Sequence, residues 1–144
     1  MYAFEETGVI EGTVEQVWAV ATDVARWSEW DPHEEASRLD GEFVAGTTGW
    51  VKPKGAPAGP FTITAVRPEE SWSSQAAIPF GRLVGTRRYE QIDANHVRLV
   101  ERVEVHGPFA PLFRLIWEKG MRRDMPLTFA ALEREACNRF AQHG

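Results

Sequence analysis

From Phe113 to Phe140 the apolar residues Phe113, Trp117, Met121, Met125, Phe129, Leu132, Ala136 and Phe140 advance in steps of three or four. That spacing keeps side chains on one side of an α-helix, and a stripe of this length needs an apolar surface of matching length to cover it. The chain in front offers one kind of surface. Between Ala36 and Gly107 there is no helical periodicity; short apolar or alternating runs are separated by Gly, Pro, Asn and Asp, which predicts an antiparallel meander. One long helix therefore has to lie across one sheet. Pro111 suits its first turn, whereas Gly120 and Pro126 interrupt the stripe; an interior proline costs about 3 kcal/mol unless packing compensates, so the helix is expected to bend. The 144 residues suffice for one domain, 1–144, able to bury roughly two thirds of the surface its unfolded chain exposes.

The sequence ahead of the meander supplies a strand and two short helices. Ala3 to Glu11 carries Phe4, Val9 and Ile10 without turn residues and reads as a strand. Thr13 and Gln16 have the spacing of a capping box, in which a hydroxyl takes one free amide and the glutamine reaches back to another; Val14, Val17, Trp18 and Ala21 follow on one helical face. Asp23 can cap a second helical turn that Asp31-Pro32 ends, since the residue before proline is pushed out of the helical region. Trp27 and Trp30, three apart, share one side of that turn. Six further strands are expected at 36–40, 47–53, 60–67, 71–77, 82–92 and 97–106, with a mobile loop over 53–60, where three prolines and two glycines stand.

Composition excludes several function classes. A formal net charge of −5 opposes nonspecific nucleic-acid binding, which needs cations to displace phosphate counterions. No run of about 18 apolar residues exists, so no membrane span is expected. The acidic start Met1-Tyr-Ala-Phe-Glu-Glu lacks the basic and apolar segments of a signal peptide, and with the single cysteine, Cys137, it points to a cytoplasmic protein. Cys137 is expected to pack. His33, His96, His106 and His143 are scattered without metal-site spacing, so no metal is expected and the histidines are read as surface or loop residues. No phosphate-cradling glycine motif and no nucleophile elbow occur.

The hairpin from Arg82 to His106 carries the chemistry. With Ala94 and Asn95 at its tip, Asp93 faces His96, and regular pairing brings Ile92 to Val97, Glu90 to Leu99 and Arg88 to Glu101. Val97, Leu99, Val103 and Val105 mark the inner face, so Glu101 and Arg88 are expected to point inward. An unpaired charge in a dry core costs several kcal/mol, so the pair must be bonded, hydrated or both. Two readings stay open. Arg88 and Glu101 form a structural ion pair, or they and Glu90 are fixed polar groups of a mostly apolar cavity; a one-residue register slip would turn the charges outward. Trp72, with Ser74 and Ala76 on its side, reads as core or cavity wall.

The segments VWAVATDVARWSEWDP at 17–32, FTITAVRPEESW at 61–72, GTRRYEQIDANHVRLVERVEVHGPFAPLF at 85–113 and GMRRDMPLTFAALE at 120–133, in this order, resemble the START-related helix-grip superfamily, in particular bacterial polyketide cyclase/dehydrase-like (SRPBCC) proteins. The resemblance implies an α+β helix-grip fold: a curved antiparallel sheet of about seven strands, ordered β-α-α-β6-α, wrapped around a long C-terminal helix. It also implies a small hydrophobic ligand, such as a lipid or an aromatic polyketide, in a cavity between sheet and helix; no cofactor is expected. The cavity residues expected are Arg88, Glu90, Glu101, Trp72, Phe113, Trp117, Met121 and Trp30, with Trp27 anchoring the second helix. In proteins resembling this one an apolar residue stands in place of Glu101, which points to a ligand with a polar group or to the structural pair.

Three functions compete. The first is binding of a small hydrophobic molecule, with which a homodimer is compatible. A cyclase/dehydratase-type enzyme would fold a poly-β-carbonyl chain in the same cavity, Arg88 stabilising a developing enolate while Glu101 or Glu90 moves protons. An interaction module would use an apolar patch around Trp30 and the 53–60 loop.

Overall fold

The computed structural model describes residues 1–141. Strand β1 (Tyr2–Glu11) leads into α1 (Val14–Ala21), a 3₁₀ turn (Val24–Arg26) and α2 (Trp27–Trp30). The meander follows as β2 (Glu34–Leu39), β3 (Thr48–Pro53), β4 (Gly59–Arg67), β5 (Ser71–Ile78), β6 (Gly81–Asp93) and β7 (His96–His106). The chain then turns into α3 (Ala110–Phe113), a π-helical stretch (Arg114–Glu118) and α4 (Lys119–Ala141). All seven strands join one antiparallel sheet in the order β1-β7-β6-β5-β4-β3-β2. His143 lies outside the described residues.

Local chemistry explains the starts and stops. Thr13 caps α1, its Oγ1 accepting from the Gln16 amide at 3.3 Å. The Val14 amide is taken from across the molecule, donating to Gln91 Oε1 at 2.6 Å. Asp23 precedes the 3₁₀ turn but makes no capping bond; its carboxylate instead accepts from Arg139 of α4 at 3.3 Å, where a full guanidinium charge outcompetes a backbone amide. Asp31 ends α2 with extended backbone, as the proline after it requires.

The core lies between the concave face of the sheet and α1 and α4. Phe4 and Ile10 of β1, Val97, Leu99, Val103 and Val105 of β7, Val17 and Val20 of α1 and Met125, Phe129 and Leu132 of α4 are all buried. Gly8 permits the close approach of α4 to β1: a Cβ there would meet Phe129 Cδ2 at 2.7 Å.

Three expectations are corrected. In the hairpin, Asp93 pairs with His96, but a bulge between Gln91 and Asp93 absorbs one residue, so Gln91 rather than Ile92 faces Val97. Such a bulge sets two residues against one and reverses the alternation beyond it. Every later partner on β6 moves by one: Tyr89 pairs with Leu99, Arg87 with Glu101, and Arg88 with Val100. Arg87 and Tyr89 thus turn inward, while Arg88 and Glu90 turn to the outer face, with side chains 57% and 66% exposed and ion pairs to Glu5 and Arg98. Second, the C-terminal helical segment is interrupted at the π-helical stretch rather than at Gly120 or Pro126, and α4 carries Pro126 in its interior. The stripe therefore loses its phase before Met121, and Trp117 is left 50% exposed. Third, Cys137 is exposed, because it follows the buried Ala136 by one residue and so stands off the apolar stripe.

Candidate functional site

Sheet and α4 do not close completely on each other. Between them lies a cavity of about 380 Å³, walled by Trp72 and Tyr89 of the sheet, Met125, Phe129 and Leu132 of α4, and the α2 to β2 segment. Five aromatic side chains, Trp27, Trp30, Trp72, Tyr89 and Phe129, line it among aliphatic and charged residues. Trp72 is buried, stacks on Trp27 at 6.0 Å between centroids and meets Phe43 edge-on at 5.1 Å. Its Nε1 donates to Tyr89 Oη at 3.0 Å. Burial pushes the Tyr89 phenol up to about 12, so it stays neutral and keeps its own proton for a further bond.

Arg87 and Glu101 are set into this wall. The guanidinium lies 4.2 Å above the Trp72 ring, donates to Ser74 Oγ at 3.0 Å and approaches Glu101 Oε1 to 3.9 Å. Their side chains are only 28% and 19% exposed, and both line the cavity. The inward acid and base anticipated from the hairpin are thus present, with Arg87 in the place assigned to Arg88. The structure brings Glu101, Trp72, Met121 and Trp30 together around the cavity. Arg88 touches it but directs its charge to Glu5 on the outer face, and Glu90 faces solvent. Phe113 and Trp117 pack on each other at 5.1 Å between centroids and are absent from the cavity wall.

A second polar group stands where α2 passes into β2, and it was not anticipated. His33 Nδ1 lies 2.9 Å from Thr128 Oγ1 of α4 and 3.3 Å from Asp31 Oδ1, and its Nε2 lies 3.6 Å from Asp124 of α4. One imidazole thereby ties the rim of the sheet to the helix across the cavity wall. The Asp31 pKa is raised by burial, against the stabilising backbone bond from His33. Glu34 is raised to about 7, first by burial and then by the charge of Asp31, with Arg87 opposing. One Glu34 oxygen, Oε2, is fully covered and has no hydrogen-bond partner. The sequence held one faint signal for these residues: the stop at Asp31-Pro32 ends α2, so the residues after it open the next strand.

The two tryptophans of α2 differ. Trp27 is an anchor, its Nε1 donating to Ala21 O at 2.9 Å while its ring stacks between Phe61 and Trp72. Both rings line the cavity, but the Trp30 Nε1 is covered and unpartnered. Among the described residues no group of three His, Cys, Asp or Glu side chains could hold a metal ion, and no helix is long and apolar enough to cross a membrane.

The family profile described as polyketide cyclase/dehydrase and lipid transport matches residues 1–136. No curated protein sequence matches the chain. Among solved structures, the Zhui aromatase/cyclase of Streptomyces sp. R1128 superposes with a TM-score of 0.81 at 18% identity, covering 99% of this chain and 98% of that one. The protein TTHA0849 of Thermus thermophilus superposes with a TM-score of 0.76 at 15% identity over 96% and 99% of the two chains. A conserved protein of Geobacillus kaustophilus gives 0.72 at 15% identity over 95% and 96%. At these identities the likeness concerns the fold, and that fold is the helix grip: a curled seven-stranded sheet around a long C-terminal helix.

Proposed function

Because the chain belongs to the polyketide cyclase/dehydrase and lipid transport family, we propose that it binds a small, mainly apolar ring compound in the cavity between the sheet and α4. The observation that carries this reading is the Arg87 and Glu101 pair standing in an aromatic wall beside open volume. A charged pair kept only for stability is commonly replaceable by apolar residues without loss, so its retention beside a cavity fits a polar anchor for a ligand. Trp72, Tyr89, Met125 and Phe129 would supply the apolar contact, and the Tyr89 hydroxyl a donor. Rings rather than a long acyl chain suit walls made of flat aromatic faces.

Native mass spectrometry of the freshly purified protein tests this reading directly, the expected result being a bound small molecule released on denaturation. In a second arm, a fitting aromatic alcohol should raise the unfolding temperature, since a ligand that binds only the folded state stabilises it. Thr128→Trp, which fills the cavity from α4, should abolish both effects. An unchanged unfolding temperature and an empty protein would sink the proposal.

A second reading, proton-transfer catalysis of the cyclase/dehydratase type, is favoured by Glu34. A carboxyl near neutrality is half protonated at working pH and can act as acid or base. Arg87, not Arg88, is then the cation that would stabilise an enolate oxygen. Loss of turnover in Glu34→Gln with unchanged ligand affinity would distinguish this reading from binding alone.

A further inference from the structure

The charged groups of the cavity wall do not balance. Its four carboxyls belong to Asp31, Glu34, Glu101 and Asp124. Three have partners: Asp31 accepts from the His33 amide at 2.9 Å, Asp124 pairs with His33 and Arg123, and Glu101 pairs with Arg87. The Glu34 side chain has no hydrogen bond or ion pair among the described residues, and its Oε2 is fully covered. Among the same residues no cation of the wall forms an ion pair with it, and Arg87 acts on it only through space. The Arg87 guanidinium is already shared among Ser74, Glu101 and the Trp72 face, Arg88 is turned toward Glu5, and Lys54 is an exposed residue of the loop after β3.

An aromatic cavity that ends on an unpaired carboxyl selects its ligand by charge. An anion would bring a second negative charge beside Glu34 and Asp31 out of bulk water, where repulsion is only partly screened. A neutral hydroxyl could offer one hydrogen bond. An ammonium offers that bond together with charge compensation for Glu34 and the field of Asp31.

We propose, on the basis of the binding reading above, that the cavity takes an aromatic amine, with the ring against Trp72 and Tyr89 and the ammonium on Glu34. Binding would then be linked to protons. Burial and Asp31 hold the Glu34 carboxyl partly protonated near pH 7, with Arg87 as the opposing charge, and an arriving ammonium, by stabilising the carboxylate, would release that proton to solvent. His33, Asp124, Glu101 and Lys54, whose backbone amide donates to His33 O at 2.9 Å, complete the titratable groups that face this end of the cavity.

Isothermal titration with three matched probes, 2-naphthylmethylamine, 2-naphthylmethanol and 2-naphthoate, tests the charge selection on the intact chain. The amine is expected to bind at least about tenfold tighter than the alcohol, the size of one charge-assisted hydrogen bond, and the carboxylate weakest of the three. Amine binding at pH 7 should release protons, seen as a dependence of the heat on the buffer's ionisation enthalpy. Glu34→Gln should bring the amine to the level of the alcohol and remove the proton release, while the alcohol's unchanged affinity reports an intact cavity. Equal affinity for amine and alcohol, a preference for the carboxylate, or an amine preference that survives Glu34→Gln overturns the assignment and leaves the cavity reading standing. Failure of all three probes to bind the folded protein overturns the cavity reading itself.

Discussion

The two halves of the C-terminal helical segment carry the same apolar rhythm and meet opposite fates. In α4, Met125, Phe129, Leu132 and Ala136 are between 2% and 8% exposed against the sheet and α1. In the preceding stretch Phe113 still packs on the core, but Trp117 of the stripe is 50% exposed, and Leu112, Leu115 and Ile116, which stand off it, are 47% to 81% exposed. Trp117 lies within the π-helical turn Arg114–Glu118, which holds more residues per turn than an α-helix and so rotates it off the face that the sheet covers. Apolar periodicity therefore identifies a helix, but burial depends on whether a partner surface lies along its path. The sheet supplies that surface where Gly8 lets Phe129 settle on β1.

This contrast can be broken by substitution. Phe129→Ala should cost about 3 to 5 kcal/mol in urea unfolding, since it removes a buried ring that closes both core and cavity. Gly8→Ala should cost about 1 to 3 kcal/mol by forcing the same ring away, and the double variant Gly8→Ala with Phe129→Leu should recover part of that loss.

The next largest effect concerns the rim of the cavity. Glu34 is held at about 7 in the folded protein against 4.5 ordinarily, so the folded state keeps a proton that the unfolded chain has released. Stability from this group is present below pH 4.5 and is lost as pH rises to about 7, by on the order of 1 to 2 kcal/mol after allowance for partial solvation. Urea midpoints of the wild type at pH 5 and pH 8 should differ accordingly, and Glu34→Gln should flatten the difference. Trp117→Ala should have the smallest effect, within about 0.5 kcal/mol, as befits a residue off the core face. A loss comparable to that of Phe129→Ala would mean that the outer half of the stripe is buried after all.

The hairpin shows how much of the site was legible. Glu101 was visible as an inward acid because its strand, β7, alternates without interruption from Val97 to Val105. Its partner was misassigned by one residue because β6 carries Arg87 and Arg88 in succession, and a single bulged residue decides which of them faces in. Nothing in the alternation of Thr86 to Ile92 reveals that bulge, since polar residues occupy both faces. His33 and Glu34 escaped notice for a different reason. They precede the readable part of β2, and the His33 partners Thr128 and Asp124 are 95 and 91 positions away.

The amino-acid sequence by itself determined the element order, the Thr13 cap, the stop at Asp31-Pro32 and the inner face of β7, because each depends on neighbours within a few residues. The tertiary structure alone decided that Arg87 rather than Arg88 joins Glu101, that Trp27 lines the cavity as well as anchoring α2, and that Glu34 is left without an ion-pair partner. Those outcomes depend on register and on what α4 brings across the sheet. Local patterning fixes which face a side chain can present; only long-range packing fixes what it meets there and how far that neighbour shifts its charge.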